Sequence, residues 1–293
     1  MNSSWSDAWR LLRIPFSLFL MPIFWFALSA VPEVSAIRAV AVFLILHLLV
    51  YPASNGYNSY YDRDEGSIGG LKHPPKVTQT LYWLVLIFDA LAVAFSALLS
   101  WLFAAMVLVY LLVSKAYSYE GIRLKKYPIL STLVVVVFQG AFTFAMVQVG
   151  SGVADEQILS TNNLLLALVS SLFLCGSYPL TQVYQHEEDA CRGDETLSLK
   201  LGLWGTFIFA AVSLLVASGV LFYTYWRREE TWHILFFLLG TGPVLMVFSR
   251  WLWQVRQNPA AANFENTMRM NKVSSLCMSF SFFIILLWQL WRG

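Results

Sequence analysis

Charge is scarce in this chain. Of 293 residues only 12% are Asp, Glu, Lys or Arg, against roughly 25% in an ordinary soluble chain. So little charge cannot cover a surface that faces water on every side. The apolar share of 58% also excludes a disordered chain. Cysteine is sparse as well: Cys175, Cys191 and Cys277 lie far apart. Three thiols without ligand-like spacing argue against a disulfide framework and against a zinc site. An excess of one sign of charge is also missing, and a net charge of +2 offers no basic surface to nucleic acid. No linker, low-complexity tract or strong repeat divides the sequence, so 1–293 reads as one integral-membrane domain.

Long apolar runs are what the chain has in plenty. A membrane-crossing helix needs about 20 mostly apolar residues. Nine stretches qualify, at roughly 14–31, 36–54, 79–98, 101–118, 129–149, 163–184, 203–224, 231–250 and 272–291. The expected fold is therefore all-α, a polytopic bundle of nine transmembrane helices. The first run follows Arg10 and Arg13, as a signal peptide would, but it is long for one and eight spans follow it, so it reads as a span. Connections on one side hold 15 of the 19 basic residues, and those on the other hold Arg38, Arg227, Arg228 and Arg292. The positive-inside rule then places the N-terminus and the long charged loops in the cytoplasm, in a bacterial inner membrane.

Two segments on that side stand out. Asn55 to Gly66 closes the second span and carries Asn58, Asp62, Asp64 and Glu65. Gln182 to Glu195 closes the sixth and carries Gln185, His186, Glu187, Glu188, Asp189 and Asp194. On a continuing helix Asn58 and Asp62 share a face one turn apart, and Gln182, Gln185 and Asp189 share another. Either run alone also reads as a solvated loop. Two such faces at the same membrane mouth point to a common central cavity. Carboxylates and amide oxygens suit Mg²⁺, which takes one or two carboxylates together with substrate phosphates. A third loop carries Tyr117, Arg123, Lys125 and Lys126. Its cations either simply hold the loop inside or stabilise the negative charge of a departing diphosphate.

Other polar residues have two readings each. Asp89, inside the third span, is a functional group or an interhelical hydrogen-bonding carboxyl. His47 reads as an interhelical hydrogen-bonding residue. His186 is a neighbour of the site that points away from the glutamine face. Asn263 and Asn271 line the cavity mouth or cap the last helix.

In these residues the sequence resembles the UbiA superfamily of intramembrane prenyltransferases. That family has nine helices and two aspartate-rich motifs, on the second and sixth. Its first motif, Asn-x-x-x-Asp-x-x-x-Asp, is matched by Asn58 and Asp62, with Gly66 at the third place and Asp64 or Glu65 as substitutes. The basic residue and proline that follow are similar to Lys72-His73-Pro74-Pro75, and the Tyr-Ser and basic run are similar to Tyr117-Ser118 and Arg123-Leu124-Lys125. In the second motif Asp189, Gly193 and Thr196-Leu197 match, while Gln182 and Gln185 stand where the family has aspartates.

The resemblance implies magnesium-dependent transfer of a prenyl group, an alkyl group other than methyl, from a prenyl diphosphate to a hydrophobic or aromatic acceptor in the bilayer. It implies Asp62, Asp189, Arg123 and Lys125 as catalytic residues. Asn58, Lys72, Tyr117, Arg123, Lys125, Gln182 and Gln185 would meet the substrate. Asn58, Asp62, Asp64, Glu65, Gln185, Glu188 and Asp189 would ligate Mg²⁺. A water-poor aromatic cavity would protect an allylic cation, although lipid contact explains most of the 47 aromatic residues. A membrane transporter and a catalytically degenerate lipid-binding relative are the alternatives. Carboxylates at one face, rather than at mid-membrane, count against transport. The Asp-Gly-x-x-Ala-Arg signature of CDP-alcohol phosphotransferases is absent.

Overall fold

The computed structural model describes residues 3–31 and 33–292. Among them nine helices are long and apolar enough to cross a membrane. They are α1 (Ser4–Ser29), α2 (Ala36–Asp62), α3 (Gln79–Leu99), α4 (Trp101–Ser118), α5 (Pro128–Ser151), α6 (Thr161–Cys191), α7 (Leu197–Arg227), α8 (Thr231–Gln257) and α9 (Phe264–Trp291). The expected nine spans are all present, with most helices running past the apolar stretches into the loops. Leu98, Trp101, Leu215 and Met246 are each more than 70% exposed, as expected of faces turned to lipid rather than water.

Turns between helices follow local chemistry. Ser35, Ser100, Ser160 and Thr196 cap the starts of α2, α4, α6 and α7 by accepting a hydrogen bond from a backbone N–H three residues on. Asp62 ends α2 because Arg63 turns left-handed, with φ 50°. Several helices are broken where the cavity needs it. In α1, Arg13 is left-handed and a 3₁₀ segment runs over Ile14–Leu20. In α5 a π segment covers Val137–Phe142 around Gly140. A side chain at Gly140 would run into the backbone of Ser171, so glycine is what lets α5 and α6 touch there. Ser171 Oγ closes the gap by donating to Val136 O and accepting from Ala141 N, each at 2.9 Å.

Several polar groups inside the bundle are paired, as a medium with little water favours. Gln148 and Asn163 exchange two amide hydrogen bonds of 2.9 and 2.8 Å. Asp89 forms an ion pair with Lys115 at 2.5 Å, joining α3 to α4, and the Lys115 ammonium sits 4.9 Å from the centre of the Tyr57 ring. His47 meets the Ser17 carbonyl oxygen at 3.1 Å through Nδ1. Asp89 and His47 thus act between helices, away from the cavity wall.

Candidate active site at the cavity mouth

A cavity of about 840 Å³ lies within the bundle, and every helix except α3 contributes to its described wall. Its apolar part is lined by Phe138, Phe173, Phe222, Phe237 and Phe282. Its polar end gathers Asn58, Asp62 and Asp64 from the end of α2 and beyond, Lys125 from the α4–α5 loop, and Asp189 and Asp194 from the α6–α7 region.

Asn58 and Asp62 lie one helical turn apart on a face, as their spacing requires. Asn58 Nδ2 donates to Asp62 Oδ2 at 2.6 Å and to Ser118 Oγ at 3.0 Å. Lys125 Nζ donates to Asp62 Oδ1 at 2.5 Å and lies 3.4 Å from Asp194 Oδ2. Arg123 completes the chain of charges: its Nε and Nη2 donate to the two Asp194 oxygens at 3.2 and 3.0 Å. Such a fork is the strong form of an ion pair. Burial works against the Asp194 charge, but Arg123 and Lys125 outweigh it and hold the carboxyl below its usual range.

The second motif is not one continuous helix. Pro179 lacks an N–H and weakens the end of the helix over Thr161–Leu180. A 3₁₀ turn follows at Val183–Gln185, and the helix resumes over His186–Arg192. Gln182, Gln185 and Asp189 still reach the cavity wall. The glutamines have structural partners there: Gln182 Oε1 accepts from Ser198 N at 3.4 Å, and Gln185 Nε2 donates to Ser67 O at 3.3 Å. Asp189 Oδ2 is buried with no hydrogen-bond partner among the described residues. His186 bonds to Ser198 Oγ at 2.7 Å and stays off the wall.

Four expected site residues lie elsewhere. Lys72 pairs with Glu265 on an exposed surface, because its loop folds back over the start of α9. Glu65, Glu188 and Arg123 are not among the residues of the described cavity wall, and Arg123 pairs with Asp194, which is. The Glu188 carboxylate lies against Gly66, in the space that a side chain there would take. Of the two candidate substitutes for the first motif's third acid, Asp64 lines the cavity. Tyr117 lines it too, and its hydroxyl lies 2.7 Å from that of Tyr178. Asn271 lines the mouth, whereas Asn263 caps, accepting from Asn266 N at 3.0 Å.

The sequence reading did not single out Arg13, Tyr178 or Asp194 as site residues. Arg13 is 7% exposed and lines the cavity, donating to Asn55 O at 3.0 Å and Gly69 O at 3.3 Å, while its Nε has no partner among the described residues. An arginine so close to the first apolar run was a usable signal. Asp194 belonged to the second acidic segment but its pairing with Arg123, like that of Tyr178 with Tyr117, joins positions more than 60 apart.

The described residues include no group of three or more His, Cys, Asp or Glu able to hold a metal by themselves. The oxygen donors that face the cavity include Asn58, Asp62 and Asp64 at the end of α2 and just beyond it, and Gln185 and Asp189 on α6. That set fits a hard cation that keeps waters and shares a ligand's phosphates, and the unpartnered Asp189 Oδ2 is a free coordination position.

Nine membrane-length helices among the described residues, several of them interrupted, enclose an apolar cavity with a carboxylate-lined mouth, which is the architecture of a polytopic membrane protein. The model of the UbiA prenyltransferase family matches residues 19–273, and the chain belongs to that family. No curated protein sequence matches it. Similar solved structures include UbiA homologues. One from Archaeoglobus fulgidus, bound to GPP and Mg²⁺, is 19% identical with a TM-score of 0.66, covering 95% of this chain and 99% of its own. One from Aeropyrum pernix K1 is 15% identical with a TM-score of 0.66, covering 92% and 98%. A digeranylgeranylglyceryl phosphate synthase is 16% identical with a TM-score of 0.60, covering 97% and 98%. At these identities the likeness is one of fold.

Proposed function

We propose that this chain transfers a prenyl group from a prenyl diphosphate to a hydrophobic or aromatic acceptor within the membrane, as one domain spanning 1–293. The observation that carries this reading is the union of a carboxylate-and-lysine mouth with a phenylalanine-walled cavity in one space. The mouth suits a diphosphate and the wall suits an isoprenoid tail. Solved UbiA homologues from Archaeoglobus fulgidus are bound to DMAPP or GPP and Mg²⁺, which supports a prenyl diphosphate as the substrate class. The basic asymmetry of the loops supports a cytoplasmic mouth.

Asn58, Asp62 and Asp189 would hold magnesium, with Asp64 near them. When bound, the metal offsets the negative charge that gathers on the diphosphate as the allylic C–O bond breaks. Lys125 adds a fixed positive charge at the same mouth and, released from Asp62, donates hydrogen bonds to the phosphate oxygens. The paired hydroxyls of Tyr117 and Tyr178 offer a further donor at the boundary between mouth and tail. Phe138, Phe173, Phe222, Phe237 and Phe282 keep water from the allylic cation, and their ring faces favour positive charge. The acceptor's nucleophilic atom then bonds to the allylic carbon and gives up its proton, and diphosphate leaves through the mouth.

The test is a comparison by mass spectrometry of lipids and quinones extracted from cells with and without the protein. A prenylated species present only with the protein is the expected result. Identical extracts at confirmed expression would contradict prenyl transfer.

A further inference from the structure

Arg123 and Lys125 share a loop, a charge and an expected role, yet the fold uses them differently. Lys125 lines the cavity, with its side chain 11% exposed between Asp62 and Asp194. Arg123 turns its fork onto Asp194, whose side chain is 6% exposed. Asp194 is itself fixed at its backbone, where its N–H donates to Asp189 O at 3.0 Å beside the left-handed Gly193. Arg123 is also left-handed, with φ 43°, a conformation unfavourable for a residue with a side chain. The loop therefore adopts a strained backbone that turns its guanidinium toward the α6–α7 segment. This links two loops 71 positions apart at the rim, directly beside Lys125.

We propose that Asp194 is a positioning residue: through Arg123 it locks the α4–α5 loop so that Lys125 stands over the mouth where the diphosphate binds. In this assignment, which rests on the prenyl-transfer reading, Lys125 meets the diphosphate and Arg123 anchors the loop that carries it. The Asp194 carboxylate also gives Lys125 a second counter-charge at 3.4 Å, so the ammonium keeps an ionic neighbour when Asp62 turns to the metal.

The assignment makes an expectation opposite in sign to simple electrostatics. Asp194 is a negative charge beside an anion site. If it were only that, Asp194→Asn would tighten diphosphate binding, and so it would if Arg123 itself gripped the ligand and were freed. If Asp194 positions Lys125, the same change weakens binding. The probe is inorganic diphosphate with Mg²⁺, read as the concentration giving half of the maximal thermal stabilisation of the purified full-length protein. KM for a prenyl diphosphate, followed by diphosphate release, is the second readout. Asp194→Asn and Arg123→Ala should each weaken binding and raise that KM roughly 10- to 100-fold, the scale of a lost charge-assisted pair. The double variant should be no worse than the weaker-binding single one, because the two residues act as one unit. Asp194→Glu, which keeps the charge, should recover much of the loss and serves if Asp194→Asn does not fold. Additive losses in the double variant, or unchanged or tighter binding in Asp194→Asn, would overturn the proposal. Wild-type protein that neither binds diphosphate nor releases it from substrate would remove the prenyl-transfer reading as well, whereas an active wild type with independent variants removes the positioning role alone.

Discussion

Asp62 Oδ1 and Lys125 Nζ meet at 2.5 Å across the cavity mouth, although 63 positions separate them in the chain. Their side chains are only 7% and 11% exposed. The acid proposed to hold a metal and the base proposed to hold a diphosphate thus neutralise each other. Binding of both ligands would exchange one internal ion pair for two new ones, so neither charge is left alone in a cavity with little water.

Asp62→Ala should abolish measurable turnover and also lower stability. Breaking a buried pair from one side leaves the other charge uncompensated, at a cost of about 3–5 kcal/mol. Asp62→Ala/Lys125→Met should recover stability but not turnover. Thermal melting and diphosphate release measured on the same preparations separate the two effects.

The second motif predicts a particular magnesium dependence. With neutral Gln182 and Gln185, Asp189 is the charged ligand that this helix turns to the cavity, so the metal should bind well only together with diphosphate. Gln185→Asp should lower the magnesium concentration needed for half-maximal turnover, and Asp189→Asn should raise it sharply or abolish turnover. Identical magnesium curves for these and the wild type would mean that Asp189 does not face the diphosphate.

Lys72→Ala should be nearly silent. Lys72 pairs with Glu265 on an exposed surface, away from the cavity wall. Exposed pairs contribute about 0–1 kcal/mol. Turnover within about twofold of wild type is expected, in keeping with the small effects of surface substitutions. A large rise in KM for prenyl diphosphate would return Lys72 to the site.

The Asp89–Lys115 pair should matter to stability and not to chemistry. It joins α3 to α4 at 2.5 Å, and Asp89 does not line the cavity. Asp89→Leu alone should lower the melting temperature markedly, while Asp89→Leu/Lys115→Leu should restore most of it, because paired replacement removes both desolvation costs. Equal melting temperatures for the single and double variants would show that the pair contributes nothing.

Asp194 sets a pH dependence. Its folded carboxyl lies below the usual range because Arg123 and Lys125 outweigh its burial. A carboxyl depressed on folding binds its proton more readily in the unfolded chain, so it stabilises the fold above its ordinary pKa of about 4 and loses this as pH falls through the lower folded value. The stability difference between wild type and Asp194→Asn should therefore be constant at neutral pH and shrink only below about pH 4. Chemical melts across pH 3–7 would check it; a difference that vanishes already near neutrality would contradict it.

The helices were legible because lipid demands long apolar runs, and such runs need no partner to be recognised. Asn58 and Asp62 were legible because i, i+4 spacing on one helix fixes their proximity. Gln182, Gln185 and Asp189 share the cavity wall even though Pro179 and the 3₁₀ turn at Val183–Gln185 interrupt the helix that their spacing assumed. Lys72 pairs instead with Glu265, 193 positions on and away from the cavity wall, a meeting that no local pattern announces. Tyr178 and Asp194 acquire meaning only from Tyr117 and Arg123, on other elements. Helical periodicity carries no information about such meetings. The phenylalanines of the cavity could not be told from those facing lipid, because both environments reward the same side chain.

The most direct measurement is diphosphate release by the purified, lipid-reconstituted protein given a radiolabelled prenyl diphosphate, Mg²⁺ and an extract of native membrane lipids. Magnesium-dependent release, with label passing into an apolar product and both lost in Asp62→Ala, is the expected result. Folded wild-type protein that binds prenyl diphosphate but leaves it intact across short and long chains, with and without magnesium, would contradict catalysis and leave a lipid-binding protein in its place.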